Sequence, residues 1–112
     1  MFKRGCEVEI VTYIDRKWYD YLTFNKPEYT AIKYDATYYF VLKDDIIERI
    51  CYSEIQNSIK SITRKITNCQ SALVAKEWLR NSYENGIKFN SEKAFIKRYL
   101  DLALRSNKDG RK

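Results

Sequence analysis

An α+β fold is predicted for this chain: an N-terminal antiparallel β-sheet of three to four strands packed against three C-terminal α-helices. Three observations predict it. Alternating β-branched and aromatic residues dominate the opening positions, helical spacing takes over after Asp44-Asp45, and 112 residues suffice for one domain but not for two ordinary ones. The expected layout is a single domain over 1–112, with a strand-rich aromatic part (1–43), a basic helical part (44–106) and a frayed tail (107–112).

The first predicted strand is CEVEIVTYI, 6–14. Val8, Ile10, Thr12 and Ile14 recur at period two and share one face, while Glu7 and Glu9 open the other. Residues 15–24, DRKWYDYLTF, fit a short helix capped by Asp15 or a second strand; the strand is preferred, and Pro27 ends it. YTAIKY (29–34) and TYYFVL (37–42) flank Asp35-Ala36 and read as a hairpin of residues suited to a half-buried pleated surface.

From Asp44 the spacing changes. Ile47, Cys51, Ile55, Ile59, Ile62 and Ile66 recur at intervals of four or three, which predicts a long amphipathic helix with the two aspartates at its N-terminus. Isoleucine is a weak helix former, so such a helix would depend on tertiary packing. A second helix is predicted over 71–86, capped by Ser71 or Asn68, with Ala72, Ala75, Leu79 and Tyr83 inward and Gly86 as its stop. A third is predicted over 90–107, capped by Asn90 or Ser91, with Phe95, Tyr99, Leu102 and Ala103 inward.

The composition, 45% hydrophobic and 32% charged, is that of a globular chain. No segment is apolar for long enough to span a bilayer, and the N-terminus lacks the apolar core of a signal peptide. Cys6, Cys51 and Cys69 are an odd set without CxxC spacing and read as reduced thiols, which with the absent leader predicts a cytoplasmic protein. A composition rich in Lys, Ile, Asn and Tyr points to an AT-rich genome, that of a low-GC bacterium, its phage or a plasmid.

The chain contains no histidine, which removes the commonest general base and metal ligand. Neither a GxGxxG loop nor a P-loop is present, so no cofactor is expected. The enzymatic alternative is a metal-dependent nuclease built on Asp35, Asp44, Asp45 and Glu48, whose carboxylates would hold Mg²⁺. The bland reading of these acids as turn and cap residues is preferred.

Charge separates the two halves. Residues 1–56 hold 8 Lys/Arg against 10 Asp/Glu; residues 57–112 hold 13 against 5. Cations at helical spacing (Lys60, Arg64 and Lys65; Lys76 and Arg80; Lys93, Lys97 and Arg98) predict a basic helical face that neutralises phosphates. The leading expectation is therefore a non-enzymatic binding protein that contacts DNA, RNA or a nucleoprotein complex through those eight residues. Helices two and three would make a helix-turn-helix only with an unusually long connection, ENGIKFN. The alternative is a phage- or plasmid-encoded anti-defence inhibitor of the anti-CRISPR kind. It would bind a host protein complex through exposed aromatics, with Trp18, Tyr19, Tyr38 and Tyr39 as anchors. A homodimer is compatible with either reading.

Overall fold

The computed structural model describes residues 6–14 and 28–104. The 15–24 stretch, with Trp18 and Tyr19, and the C-terminal tail lie outside them. The described chain is α+β: a five-stranded, wholly antiparallel sheet of β1 (Cys6–Ile14), β2 (Glu28–Lys33), β3 (Tyr38–Lys43), β4 (Ile46–Cys51) and β5 (Ile59–Thr67). The helices are α1 (Tyr52–Ile55), α2 (Cys69–Glu84) and α3 (Glu92–Ala103). In space the strands run β4-β3-β2-β1-β5, so β4 and β5 are the two edges.

The predicted long helix from Asp44 is not formed. Its residues make β4, the single turn of α1 with a following 3-10 turn (Gln56–Ser58), and the nine-residue strand β5. A spacing of four is one helical turn, but it is also two strand repeats, so it keeps residues on one face in either structure. The β-branched content decides: five of the nine β5 residues, IKSITRKIT, are Ile or Thr. Asp44 and Asp45 are not a helix N-terminus but the two-residue turn of the β3–β4 hairpin, with φ of 52° and 72°. That left-handed pair is the backbone a type I′ hairpin turn requires, and aspartate tolerates it better than most residues.

The β2–β3 hairpin forms as the sequence predicts. Asp35 Oδ1 accepts from the backbone N–H groups of Thr37 and Tyr38, at 2.9 and 2.8 Å, and so closes the turn without a glycine.

Both predicted C-terminal helices are present: α2 has the predicted length but begins and ends two residues earlier, and α3 is shorter than predicted at both ends. Asn68 caps α2, accepting from Ser71 N at 2.9 Å; Ser91 caps α3, accepting from Ala94 N at 3.1 Å. α2 ends in a Schellman arrangement: Gly86 N–H bonds to Tyr83 O and Ile87 N–H to Ser82 O, with Gly86 at φ 64°.

The sheet is buried on both faces. On one, Val8, Ile10, Ile32, Phe40, Leu42 and Ile47 meet Ala72, Ala75 and Leu79 of α2 and Phe95, Tyr99 and Ala103 of α3. On the other, Val11, Tyr13, Ala31, Tyr39 and Val41 pack with Ile55. The α1 segment carries the chain from edge β4 to edge β5 along this second face, where Tyr52 stacks on Tyr39 at 5.6 Å. Burial on both faces answers the question posed by consecutive tyrosines: Tyr38 and Tyr39 point to opposite faces and each finds cover. α3 is tied to the sheet by Glu92, which accepts from Thr30 N at 2.8 Å, and by the Thr67 hydroxyl, which donates to the Ala103 carbonyl.

Cys51 is a free thiol, whereas Cys69 is disulfide-bonded. This corrects the reading of all three cysteines as reduced: an odd count allows one bridge and one remainder. The cysteines therefore no longer argue for a reducing compartment. Among the described residues no helix is long and apolar enough to cross a membrane.

Candidate functional site

The eight cations expected on one helical face are divided among three places. Lys60, Arg64 and Lys65 belong to β5, not to a helix. Lys60 Nζ lies 2.6 Å from Glu28 of β2, and Arg64 Nε lies 2.9 Å from Glu9 and 3.8 Å from Glu7 of β1. Acids of the opening strands thus neutralise two of the residues nominated as phosphate contacts. Lys76 is half-buried on α2, its ammonium donating to the Tyr34 carbonyl at 2.9 Å. Burial, helped by the Lys33 charge and opposed by Asp35, lowers its pKa.

Arg80, Lys93, Lys97 and Arg98 are exposed on α2 and α3. Lys97 reaches Asp101 at 3.5 Å. Lys93 and Lys97 rim an open groove of about 500 Å³ floored by Ile96 and Leu100, with Glu92 and Asp101 also on its wall. Over 68–104 the helical layer carries six Lys/Arg against four Asp/Glu, so it is only mildly basic.

The aromatic anchors are corrected in part. Tyr39 is 2% exposed and belongs to the core, so it is no contact residue. Tyr38 is half-buried under the Arg49 guanidinium, 4.6 Å from its ring. The acids proposed for a metal do not converge. Asp35 closes the turn before β3 and Asp44-Asp45 the turn after it, so six strand residues, about 20 Å, separate them. Among the described residues no three His, Cys, Asp or Glu side chains stand close enough to hold a metal ion.

Two features escaped the sequence reading. One is Glu9, a strand carboxylate only 9% exposed. Its Oε2 accepts from the Tyr39 hydroxyl at 2.7 Å and its Oε1 from Arg64 Nε at 2.9 Å. Burial by itself would raise its pKa. The two hydrogen bonds and the charges of Lys33 and Arg64 more than offset this and hold the carboxyl below its ordinary value. The same contact, with burial, pushes the Tyr39 phenol well above its usual range. An acid between Val8 and Ile10, next to Glu7 on a face that continues as the apolar Val11 and Tyr13, was the available signal.

The other feature is the outer edge of β5. β5 pairs with β1 on one side only, and no described strand lies beyond it. A bulge at Lys60, between the Thr12↔Ser61 and Tyr13↔Ile59 pairs, precedes a regular ladder from Ser61 to Thr67. Lys60 through Ile66 are all exposed, a run of seven residues. The register places Ile62, Arg64 and Ile66 on the face of Val11, Glu9 and Glu7, away from α2 and α3; Ser61, Thr63 and Lys65 occupy the other face. Ile62 is 45% and Ile66 65% exposed, and Arg64 lies between them with its Nε on Glu9. Nearby on α2, Leu73 and Val74 are exposed as well. Edge strands are usually blunted by proline, short length or cover. Among the described residues β5 has none of these; the devices it carries are its cations and the bulge at Lys60. No family model, no curated protein and no solved structure matches the chain.

Proposed function

We propose that this is a binding protein whose contact surface is the open edge of β5, and that it takes an extended segment of another polypeptide as a sixth strand. The observation that carries this reading is the seven-residue exposed run of an edge strand with two isoleucines on one face. An uncovered edge offers a row of backbone N–H and C=O groups that supply affinity, and alternate side chains supply selectivity. The Glu9–Arg64–Tyr39 contacts support it further, because they tie Arg64 of β5 to Glu9 of β1 and leave the outer side of the strand unoccupied by described strands.

The test is capture from a nuclease-treated lysate of a bacterial host by the wild-type protein and by an Ile62→Thr/Ile66→Lys variant. Both positions are exposed, so the variant retains the fold, which circular dichroism checks. Partners held by the wild type are expected to be lost by the variant. Capture that the variant retains in full, or that disappears with nuclease alone, overturns the reading.

A second reading, contact with nucleic acid, rests on Lys65, Arg80, Lys93 and Arg98, which are exposed and carry no ion pair among the described residues. It retains a smaller set of cations than the sequence nominated, and affinity that falls steeply with salt is its signature.

A further inference from the structure

Two occupants could complete the edge of β5: a second copy of this chain, or a strand from a different protein. Charge and register separate them. An antiparallel two-fold pairing of β5 with itself must place a residue opposite its own copy, and opposite residues share a face. Centred on Arg64, the pairing joins Ile62 to Ile66 twice but sets Arg64 against Arg64. With Ile62 at the centre, Ile62 meets Ile62, but the bulge at Lys60 leaves only Ser61–Thr63 in regular pairing. Centring on Thr63 keeps the cations apart but places Ile62 opposite Arg64. No central register joins both isoleucines over a regular ladder and separates the charges, and like charges directly opposite destabilise a ladder. The acids that neutralise Lys60 and Arg64 do not relieve this, because they stand on β1 and β2, on the inner side of β5.

The row presented outward by β5 holds Lys60, Arg64 and Lys65 and no acid. On the face away from α2 and α3, Arg64 is already held by Glu9, so what remains to be covered there is chiefly Ile62 and Ile66. On the opposite face Lys65 is exposed, stands opposite Val8 of β1, and has no ion pair among the described residues.

We infer that the sixth strand comes from a different protein, apolar at alternate positions on one face and acidic on the other, with a carboxylate opposite Lys65. The inference rests on the reading of β5 as the contact surface and names the chemistry of its occupant. The apolar face of the incoming strand covers Ile62 and Ile66, and its acidic face supplies the partner that Lys65 lacks. The same cations that select it keep copies of this chain from joining edge to edge.

The probe is a labelled nonapeptide alternating valine with glutamate, matched to the nine residues of β5, against a counterpart in which lysine replaces each glutamate. Binding is read by fluorescence anisotropy at low salt, and self-association by sedimentation velocity. The wild type is expected to sediment as a monomer and to bind the glutamate peptide about fivefold more tightly than the lysine peptide. Lys65→Glu, at an exposed position, is expected to reverse that preference, and Ile66→Lys, which gains Glu7 as its cross-strand neighbour, to weaken binding of both peptides. Equal affinity for the two peptides, or a preference unchanged by Lys65→Glu, overturns the acidic partner while leaving β5 as the contact surface. A wild-type dimer that Ile66→Lys dissociates overturns it in favour of a second copy. If neither peptide binds, the inference falls; the broader reading falls with it only if lysate capture also survives the Ile62→Thr/Ile66→Lys change.

Discussion

Replacing Tyr39 by phenylalanine removes one oxygen atom and isolates the buried end of the Glu9 contacts. The Tyr39 hydroxyl donates to Glu9 Oε2 at 2.7 Å, and Tyr39 is 2% and Glu9 9% exposed. A buried hydrogen bond to a charged acceptor contributes about 1.5–3 kcal/mol. The Arg64 contact to the same carboxylate is of similar length, 2.9 Å, but the arginine side chain is 53% exposed. Solvent screening reduces that pair to about 1 kcal/mol or less. Tyr39→Phe is therefore expected to cost about 2 kcal/mol and Arg64→Met less than half of that, measured by urea unfolding. With a slope of about 1–2 kcal/mol/M, the tyrosine change lowers the midpoint by about 1–2 M.

The difference depends on pH in a defined direction. Glu9 titrates below its ordinary value of 4.5 in the folded protein, so its stabilising contribution is complete above that value. It is lost as pH falls through the folded pKa, because the protonated carboxyl is a weaker acceptor. The gap between wild type and Tyr39→Phe should hold constant near neutrality and narrow as the pH falls through the lowered folded pKa of Glu9. A gap that is unchanged under acid, or an Arg64→Met cost equal to that of Tyr39→Phe, would refute the assignment of the tyrosine as the principal partner of this carboxylate.

Asp45→Gly relieves the left-handed backbone at φ 72° and is expected to raise stability by up to about 1 kcal/mol, whereas Asp45→Val lowers it by about 1–2 kcal/mol; thermal melting reads both. Among the described residues the Tyr99 hydroxyl is buried without a hydrogen-bond partner, and burial pushes its pKa up to about 12, so Tyr99→Phe should raise stability by about 1 kcal/mol in urea unfolding. Ser91→Ala removes the α3 cap and should cost about 1 kcal/mol, with amide exchange accelerated in the first turn of α3. If nucleic acid is bound at all, a salt titration should report about four phosphate contacts or fewer, and Lys60→Ala, already paired with Glu28, should leave the slope unchanged.

Where local chemistry decides a structure, the sequence was enough. Asp35 could only close a turn between two aromatic strands. Gly86 marks the end of α2, and the caps narrow to Ser71 or Asn68 and to Asn90 or Ser91, because capping is satisfied within a few residues; the three-residue steps from Ala72 to Ala75 and from Tyr99 to Leu102 are ones no strand face shares. The run from Ile47 to Ile66 was ambiguous for the opposite reason. Its predominant spacing of four is common to helix and strand; its β-branched content favours the strand, and pairing with β3 across the Asp44-Asp45 turn and with β1, distant in sequence, fixes it.

The same limit governs the site. Charge is countable in a sequence, but its partners are not: Glu28 and Glu9 lie 32 and 55 residues from the cations they neutralise. Whether a strand is central or at an edge is likewise invisible locally, since β5 follows β4 in the chain yet joins the far side of the sheet beside β1. By itself the sequence determined the α+β composition and the presence of the two C-terminal helices. The tertiary structure alone decided which cations are neutralised, that Tyr39 is buried, and that no described strand lies beyond β5, because each depends on groups far apart in the chain meeting in space.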